Sequence, residues 1–450
     1  MDIIIIEEIK SYVQKKWFWI LIVLLATVLI AIGITNRKWI YFVILLIPIF
    51  IYLSIEKPFI FPFGFYVLLL PFDNVLSISG ATGPTITKFL GILTIIVLLL
   101  KGLFEKKLKK LSTPSIYWLI LIIYAILSIV WAYNPYPVRS ILPTAIGLLS
   151  LYLIASSYKI RGTDFDTLKW YIVAGGFLSA IYTIYIYVFM NLGETRVSLN
   201  ISEERTSDPN MFAFSLLLPA SICIERVLNQ RKKALKAILI VMFGFIISGI
   251  LLTGSRGGTL GLVAIIVIYT FYTKNKLWMV TIFLGASIIL MPFVPWSFLL
   301  ERWDTALEGG GAGRTTIWYY GLKMFAHYWL IGAGLNNFVI VYSEFAHFTP
   351  FSHTIYRGSH NIYLQILVEL GFVGFILFIS GLIKHYNAIK SFFIQHNNDA
   401  IMLKAAFWSI LISSFFLGTF LTKSFWLLFM MILMFKNTIE TDTYKMSFSH

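Results

Sequence analysis

Long apolar runs recur along almost the whole chain and are separated by short polar segments. A run of about 17 residues or more is long enough to cross roughly 30 Å of hydrocarbon as a helix. In lipid the backbone must satisfy its own polar groups, so such runs should be helices. The runs are continuous, whereas a β-barrel would show short alternating segments. The pattern therefore predicts an all-α polytopic membrane protein.

Fourteen runs are candidate transmembrane helices, and the pattern supports 12–14 of them. The third is short and contains Pro62 and Gly64, so it is either re-entrant or fused with the second. The last run is also weak. The candidates cover residues 17–34, 39–55, 59–72, 86–103, 115–133, 139–157, 168–190, 210–228, 235–252, 257–273, 277–294, 361–383, 401–419 and 422–436.

The basic residues orient the bundle, because cytoplasmic loops carry an excess of Lys and Arg. With the N-terminus inside, 24 of the 36 Lys and Arg residues face the cytoplasm and 12 face outward. The C-terminus is then also cytoplasmic, and one large extracytoplasmic loop covers 295–360. We expect three sections, with N-terminal helices over 1–237, a core that includes the large loop over 238–380, and C-terminal helices with a tail over 381–450.

The composition agrees with a membrane protein. Hydrophobic residues make up 58% of the 450 residues and charged residues 13%, against roughly a quarter charged in soluble proteins. The positive charge lies mainly in lysine-rich inner loops, where it sets topology and meets anionic lipid. Membrane lipid is therefore an expected partner and nucleic acid is not.

Arginine and lysine are distributed differently between the two sides. The inner side carries 21 Lys and 3 Arg, whereas the outer side carries 4 Lys and 8 Arg. A planar guanidinium binds phosphate oxygens in pairs, so the outer bias indicates a specific anionic ligand, although some of these residues are expected to be ordinary loop arginines. The outer arginines are Arg37, Arg139, Arg196, Arg205, Arg256, Arg302, Arg314 and Arg357.

Arg256 lies in a tight polar break, Thr253–Gly258, between two long apolar runs. An unpaired arginine at membrane depth costs at least about 2.5–3.5 kcal/mol on insertion scales. A carboxylate partner or an anionic substrate is therefore expected beside it. The alternative is a turn residue whose side chain reaches the interface.

A second candidate lies in the loop before the eighth run, where Arg205 precedes Asp208 and Asn210. Asp208 is predicted to cap the following helix, whose free N–H groups would point toward an anion beside Arg205. Alternatively, Glu203 and Glu204 neutralise Arg205 in a solvated loop.

The large outer loop contains a glycine-rich segment, Gly309–Gly313, without the Gly-Lys-Ser/Thr ending of a phosphate-binding loop. We interpret it as a hinge. Apolar residues at helical spacing follow it and predict a helix with one apolar face that presents Arg314 near its start. The predicted face consists of Ile317, Trp318, Leu322, Phe325 and Trp329.

His360 immediately precedes the twelfth run and is expected at the mouth of the bundle. An imidazole titrates near neutral pH and can accept a proton from a hydroxyl group. A helix cap or another structural role is the alternative. The one Asp-x-Asp pair, Asp164 and Asp166, is placed inside and is expected to cap the seventh run. No metal and no other cofactor is therefore predicted at the outer site.

These segments, in this order, resemble the O-antigen ligase and polymerase family of bacterial envelope enzymes. The motif-bearing part covers 238–380. Each motif is short, and their order, spacing and side of the membrane together carry the resemblance. The matching segments are Thr253–Gly258, the long outer loop, Gly332–Phe338, Ser359–Gln365 and Glu369–Gly374.

The resemblance implies a glycosyltransferase with a GT-C-like multi-span fold in the bacterial cytoplasmic membrane, with its active site facing the periplasm or the cell exterior. The donor would be a glycan on undecaprenyl diphosphate. The acceptor would be a lipid- or glycan-linked hydroxyl. A ligase and a polymerase of the family remain alternatives. A transporter or flippase, from another class, usually buries charges near the midplane and often has repeated halves, and no repeat is visible.

The family's functional residues match positions of this chain. Its histidine matches His360, and its two arginines match Arg205 and Arg256. Arg314 resembles a basic position of the family less closely. The implied mechanism is metal-independent and inverting, with His360 as the base and the arginines on the diphosphate. Asn361 lies in the matching segment Ser359–Gln365, and Asn210 lies in the earlier loop Arg205–Asn210, which also matches. Both asparagines are expected to contact substrate.

Overall fold

A computed structural model of the chain describes residues 40–73, 75–77, 84–190, 197, 199–202, 205–206, 208–273, 276–277, 281–282, 284–286, 304, 313–346, 357–393 and 398–447. Over these residues the protein is almost entirely helical, as the apolar pattern predicts. The sheet found there is one antiparallel hairpin of β1 (Asn200–Ser202) and β2 (Arg205–Thr206). The predicted run 17–34 lies outside the described residues, as does most of 277–294.

Fourteen α-helices have their bounds within the described residues, and several of them are extended by a short turn. Residues 276–277, 281–282, 284–286 and 304 are also helical. A 3-10 turn carries α2 to Phe72, α4 to Val130 and α13 to Phe416, and a π-helical turn carries α6 to Met190. The helices are α1 (Ile40–Glu56), α2 (Phe63–Leu69), α3 (Ile86–Phe104), α4 (Thr113–Leu127), α5 (Pro135–Ser157), α6 (Gly162–Tyr185), α7 (Pro209–Asn229), α8 (Lys233–Leu252), α9 (Arg256–Tyr272), α10 (Arg314–His327), α11 (Phe338–Ala346), α12 (Ile362–Phe393), α13 (Asn398–Ser413) and α14 (Lys423–Ser447).

Eight of the described helices are long and apolar enough to cross a membrane, namely α3 to α8, α12 and α13. Two further apolar helices, Phe63–Phe72 and Arg256–Tyr272, are shorter. The third predicted run is thus a separate short helix and is not fused with α1. The higher count of 12–14 crossings and the cytoplasmic placement of the termini stay predictions.

The helix α7 lies at the centre of the bundle. In α7, 78% of its apolar 18-residue stretch is buried inside the protein. In α3 the buried share is 28%, so α3 lies at the surface of the bundle. Around α7 pack α6, α8, α9 and α13. The first turn of α7 therefore opens in the middle of one end of the bundle.

At the opposite end of α7, a buried ion cluster joins three helices. Lys169 of α6 places its Nζ atom 3.3 Å from Oε1 of Glu225 on α7 and 2.5 Å from Oδ1 of Asp399 on α13. Buried charges are stable only when they are paired in this way. The cluster fixes the relative positions of the three helices at this end.

The prediction that Asp164 and Asp166 cap the seventh run is wrong. The residue at the cap position of α6 is Arg161, and both aspartates lie inside the helix. Asp164 pairs with Arg161 at 2.9 Å, and Asp166 pairs with Arg226 at 2.7 Å. Both carboxylates are engaged by arginine at the end of the bundle away from the first turn of α7.

The helices α10 and α11 and the first turns of α12 share a small hydrophobic core of their own. It is separate from the main core of the bundle. A loop that only connected two membrane-spanning helices would not need a core of its own. The large outer loop therefore folds here as a compact unit. Its buried members are Ile317, Met324, Ala333, Phe338, Val341, Tyr342, Ala346, Leu364 and Val368.

The helix predicted in the large outer loop is confirmed as α10, but its apolar face is narrower than predicted. Ile317 is buried, and Trp318 and Phe325 pack against the small core. Leu322 is 59% exposed, and Trp329 lies beyond the end of the helix. The spacing identified the helix correctly and assigned these two residues to the wrong surface.

The longest helix, α12, is broken at Gly371, whose φ of 66° and ψ of −168° are not helical. In an uninterrupted helix the N–H groups of Phe372 and Val373 would donate to the carbonyls of Val368 and Glu369, four residues earlier. The break leaves these two donors and two acceptors without their helical partners.

Residues 329–334 of the outer loop supply the missing partners. Their carbonyls accept from the residues after the break, and their N–H groups donate to the residues before it. The loop thus completes the backbone hydrogen bonding of α12. The break divides the predicted run 361–383 into an outer piece, which packs against the loop helices, and a longer piece, which packs against α4. The bonds are Phe372 N to Trp329 O (2.7 Å), Val373 N to Leu330 O (3.2 Å), Ala333 N to Val368 O (2.9 Å) and Gly334 N to Glu369 O (2.8 Å).

We expect Gly371→Ala to destabilise the protein. The backbone has a positive φ there, which costs a non-glycine residue about 1–3 kcal/mol. An added Cβ would also lie 2.4 Å from the Leu330 carbonyl oxygen. Thermal unfolding of the purified protein in detergent should show a lower midpoint for Gly371→Ala than for the wild type.

Gly147→Ala is the matched control, because an added Cβ at Gly147 meets no atom within 4 Å. Its midpoint should stay at the wild-type value. Equal midpoints for both variants would contradict the described joint between the outer loop and α12.

Candidate functional site

The site lies where four helices begin, at the end of the bundle that carries the first turn of α7. Those helices are α7, α9, α10 and α12. The N-terminus of a helix presents free N–H groups and a partial positive charge, both of which favour an anion. At the beginning of each helix, polar residues hold one candidate side chain in place.

The helix α9 begins at Arg256 because the residues before it build a tight turn. Gly254 has a φ of 58°. Thr253 accepts a hydrogen bond from the Ser255 amide at 3.1 Å, and Ser255 caps the helix by accepting from the Gly258 amide at 3.2 Å. Thr253 and Ser255 are thus used by the turn, which leaves the half-buried Arg256 as the charged group of this segment.

The first turn of α9 lies directly against the end of α13. A Cβ added at Gly257 would be 3.1 Å from the Ser413 carbonyl oxygen and 3.1 Å from the Phe416 Cβ atom. A side chain at this position would require the end of α13 to shift by a few tenths of an ångström. Arg256 is thereby held next to the segment that contains Phe416.

The helix α10 brings Arg314 to the same aromatic ring. Its guanidinium carbon lies 5.5 Å from the centre of the Phe416 ring, within the range of a cation–π contact. Gly313, which precedes the helix with a φ of 77°, lies beside Arg357, whose Nη1 atom would be 3.1 Å from an added Cβ. Phe416 therefore links the start of α10 to the start of α9.

At the start of α12 the helix is capped by Asn361 and not by His360. Asn361 caps the helix through its Oδ1 atom, which accepts from the Tyr363 and Leu364 amides at 2.9 and 3.1 Å. Ser359 donates its hydroxyl to the Asn361 carbonyl at 3.0 Å. His360 lies between them with a φ of 46°. The cap expected as an alternative for His360 is supplied by Asn361, and the substrate-binding role of Asn361 stays a prediction.

The first turn of α7 is built as the sequence predicts. Asp208 caps it, and its Oδ1 atom accepts from the amides of Asn210 and Met211 at 2.7 and 3.0 Å. The backbone of Arg205, three residues earlier, pairs with Ser202 in the hairpin. The side chain of Arg205 lies outside the described residues, so its place in the site stays a prediction, as does substrate binding by Asn210.

His360 shares one electrostatic environment with charged residues from other segments. Burial lowers its pKa below the ordinary value, Arg314 lowers the pKa further, Asp208 raises it, and Arg357 lowers it. Charges influence a pKa in this way only when they lie close by. Charges from the starts of α7 and α10 thus act on the imidazole at the start of α12. A direct contact also joins α10 to this segment, because Trp318 Nε1 donates to the Ser359 carbonyl at 3.2 Å.

The structure thus brings together Arg314 and His360, with Arg256 joined to them through Phe416. Sequence reasoning did not single out two contributors. Arg357 was named only among the outer arginines, although its position just before His360 could have drawn attention. Phe416 carried no signal, because its role depends on how α9 and α10 pack.

Over the described residues, no group of three or more His, Cys, Asp and Glu side chains could hold a metal ion. The charged groups around His360 are one carboxylate and two guanidinium groups. Such a set suits an anionic ligand with phosphate oxygens.

Comparison with protein families gives one finding. A family model described as O-antigen ligase matches residues 237–379, which include Arg256, Arg314 and His360. Comparison with curated proteins gives no match. Residues 237–379, about a third of the chain, are therefore similar to the O-antigen ligase domain.

Proposed function

We propose that this protein transfers a glycan from undecaprenyl diphosphate to an acceptor hydroxyl at the outer face of the bacterial cytoplasmic membrane. The observation that carries the proposal is the meeting of His360 with Arg314, Arg357 and Asp208 from separate segments. A neutral base beside two fixed cations suits the displacement of an anionic leaving group. The family match covers most of these residues and supports the same chemistry.

His360 acts as the base in this scheme. Burial and the two arginines lower its pKa below the ordinary value, which favours the neutral imidazole that a base requires. It accepts the proton of the acceptor hydroxyl, and the oxygen attacks the anomeric carbon. The bond between that carbon and the diphosphate oxygen breaks, and the diphosphate leaves with the electron pair. A single displacement of this kind inverts the anomeric configuration.

The arginines stabilise the departing diphosphate. Its charge grows as the bond breaks, and fixed cations are most effective where charge develops in the transition state. We assign this role to Arg256, Arg314 and Arg205. Asp208 has a complementary effect, because its carboxylate favours the protonated imidazole that forms during the reaction.

A polymerase of the same family is the alternative, with a second lipid-linked repeat unit as the acceptor. It would use the same base and the same arginines. The two activities differ only in the molecule that supplies the hydroxyl, and a transfer assay with each acceptor separates them.

We expect His360→Ala, Arg256→Ala and Arg205→Ala each to abolish transfer. Loss of a general base alone removes about 10²–10⁴-fold in rate. Transfer is measured with purified protein in lipid nanodiscs and a glycan on undecaprenyl diphosphate.

Arg139→Ala is the control for these three variants, because Arg139 is an exposed outer arginine at the start of α5. It should retain wild-type activity. Wild-type rates in all three site variants would rule out the proposed mechanism.

The pH dependence should shift in opposite directions in two variants. In the wild type, kcat/KM should fall as the pH drops through the pKa of His360, which burial and the arginines lower from its ordinary value. Arg357→Gln removes a charge that lowers this pKa, so the acidic limb should move to higher pH. Asp208→Asn removes a charge that raises the pKa, so the limb should move to lower pH.

Asn is as good a cap as Asp, so Asp208→Asn changes the charge and preserves the start of α7. An unchanged circular dichroism spectrum checks this point for both variants. Shifts in the same direction, or no shift in either, would exclude His360 as the titrating base.

We expect the purified enzyme to work in the presence of EDTA. In the proposed scheme the arginines neutralise the diphosphate, and the Asp-x-Asp pair is bound to Arg161 and Arg226 at the other end of the bundle. Initial rates are compared with and without the chelator. Loss of activity in EDTA that a divalent ion restores would count against the scheme.

A further inference from the structure

A cavity of about 440 Å³ lies between α2, α3, α5, α7 and the start of α14. Its size falls in the range of about 300–1,000 Å³ that is typical of ligand pockets. Most of its wall is apolar, with Tyr66, Phe212, Phe214, Leu148 and Leu151 among the lining residues. Its contents must therefore be largely hydrocarbon.

A polar cluster closes the outer end of this cavity. Lys423 at the start of α14 places its Nζ atom 2.7 Å from Asp73 Oδ1, 3.1 Å from Thr85 Oγ1 and 2.7 Å from Thr87 Oγ1. An ammonium group has three donors, and these contacts use all of them. The cluster ties together the end of α2 and the starts of α3 and α14 at the polar end of the cavity.

The cavity opens sideways instead, between α3 and α5. Its lining includes Lys88, Ile92 and Pro143, which are exposed on the outer surface of these helices, and Ile92 is 47% exposed. The lining on α3 runs from Thr87 to Ile95, a rise of about 12 Å along the helix. The opening thus faces the bilayer, and a chain can enter from the lipid.

The cavity also adjoins the candidate site through two shared walls. Met211 and Phe212 line it, and they directly follow the first residues of α7 that Asp208 caps. Leu421 lines it as well, and the same segment holds Gly418, where an added Cβ would be 3.6 Å from Ser359 Oγ. A molecule with its polar head at His360 would have its apolar part beside this cavity.

We propose that the cavity holds the first isoprene units of the donor's polyprenyl chain, which enters between α3 and α5. This inference rests on the proposed function, since the diphosphate head then lies at the start of α7. The exposed Lys88 at the opening provides a positive charge that favours an anionic lipid. A phospholipid acyl chain shares the hydrocarbon chemistry, and the test below separates the two sources.

Gly147→Phe tests the proposal by filling the cavity. Gly147 lines it, and an added Cβ there meets no atom within 4 Å, so a side chain can be introduced at this position without a clash at its first atom. Loss of buried hydrocarbon should raise KM for an undecaprenyl-linked donor about tenfold, with little change in kcat. KM for a donor on a short, two-isoprene carrier should change little.

The matched control is Ile146→Phe, because Ile146 is the adjacent residue on α5 and is 48% exposed on the lipid side. It adds an aromatic ring to the same helix outside the cavity, so KM should stay at the wild-type value. If Gly147→Phe transfers glycan with wild-type KM for the long donor, the proposal is overturned while the proposed function stands.

A binding measurement keeps the two proposals apart. A polyprenyl diphosphate with a photoreactive group in its first isoprene units should label α3 and α5 at the cavity in the wild type and in Ile146→Phe, and label Gly147→Phe much less. Such labelling in a protein without transfer activity would overturn the proposed function and leave the cavity assignment in place. Labelling elsewhere, or displacement of the probe by phospholipid, would overturn the cavity assignment.

Discussion

The arrangement of the end of the bundle that carries the candidate site depends on one exchange of backbone hydrogen bonds at Gly371. A backbone donor or acceptor removed from water must find a partner, and the broken turn of α12 leaves four such groups unpaired. Residues 329–334 of the outer loop pair with all four. Because the same loop carries α10 and α11 on either side, the exchange anchors both helices on the outer piece of α12. Arg314 at the start of α10 and His360 at the start of α12 are thereby held together.

The charges around His360 act in opposite directions, and a base needs both effects. Burial and the arginines Arg314 and Arg357 disfavour the imidazolium, as the proposed base requires before it accepts a proton. Asp208 favours the imidazolium, so the proton is held once it has been transferred. The pKa of His360 lies below its ordinary value, so burial and the arginines together lower it by more than Asp208 raises it. An anionic donor beside the arginines would weaken their effect on the imidazole, and the base would become stronger when the substrate is bound.

Local signals were sufficient for the parts of the site that depend on neighbouring residues in sequence. Asp208 as a cap follows from its place before Pro209, and α10 follows from helical spacing. The break in α12 could not be predicted, because an isolated glycine in an apolar run costs only about 1 kcal/mol relative to alanine and leaves the pattern unchanged. Phe416 and Arg357 join the site only through the packing of separate helices. The roles assigned to Arg205, Asn210 and Asn361 stay predictions.

The first turn of α7 explains why such chemistry suits a membrane bundle. A lipid diphosphate has a doubly charged head and a hydrocarbon tail, and the two need different surroundings within a few ångströms. Asp208 and Asn210 lie at the polar start of this helix, whereas Met211 and Phe212, less than one turn further on, line the apolar cavity. Because α7 is the central helix, this boundary is fixed by neighbours on every side. A shift of the helix by one residue would move a polar side chain into the cavity, so the cap at Asp208 sets the position of the head and the tail together.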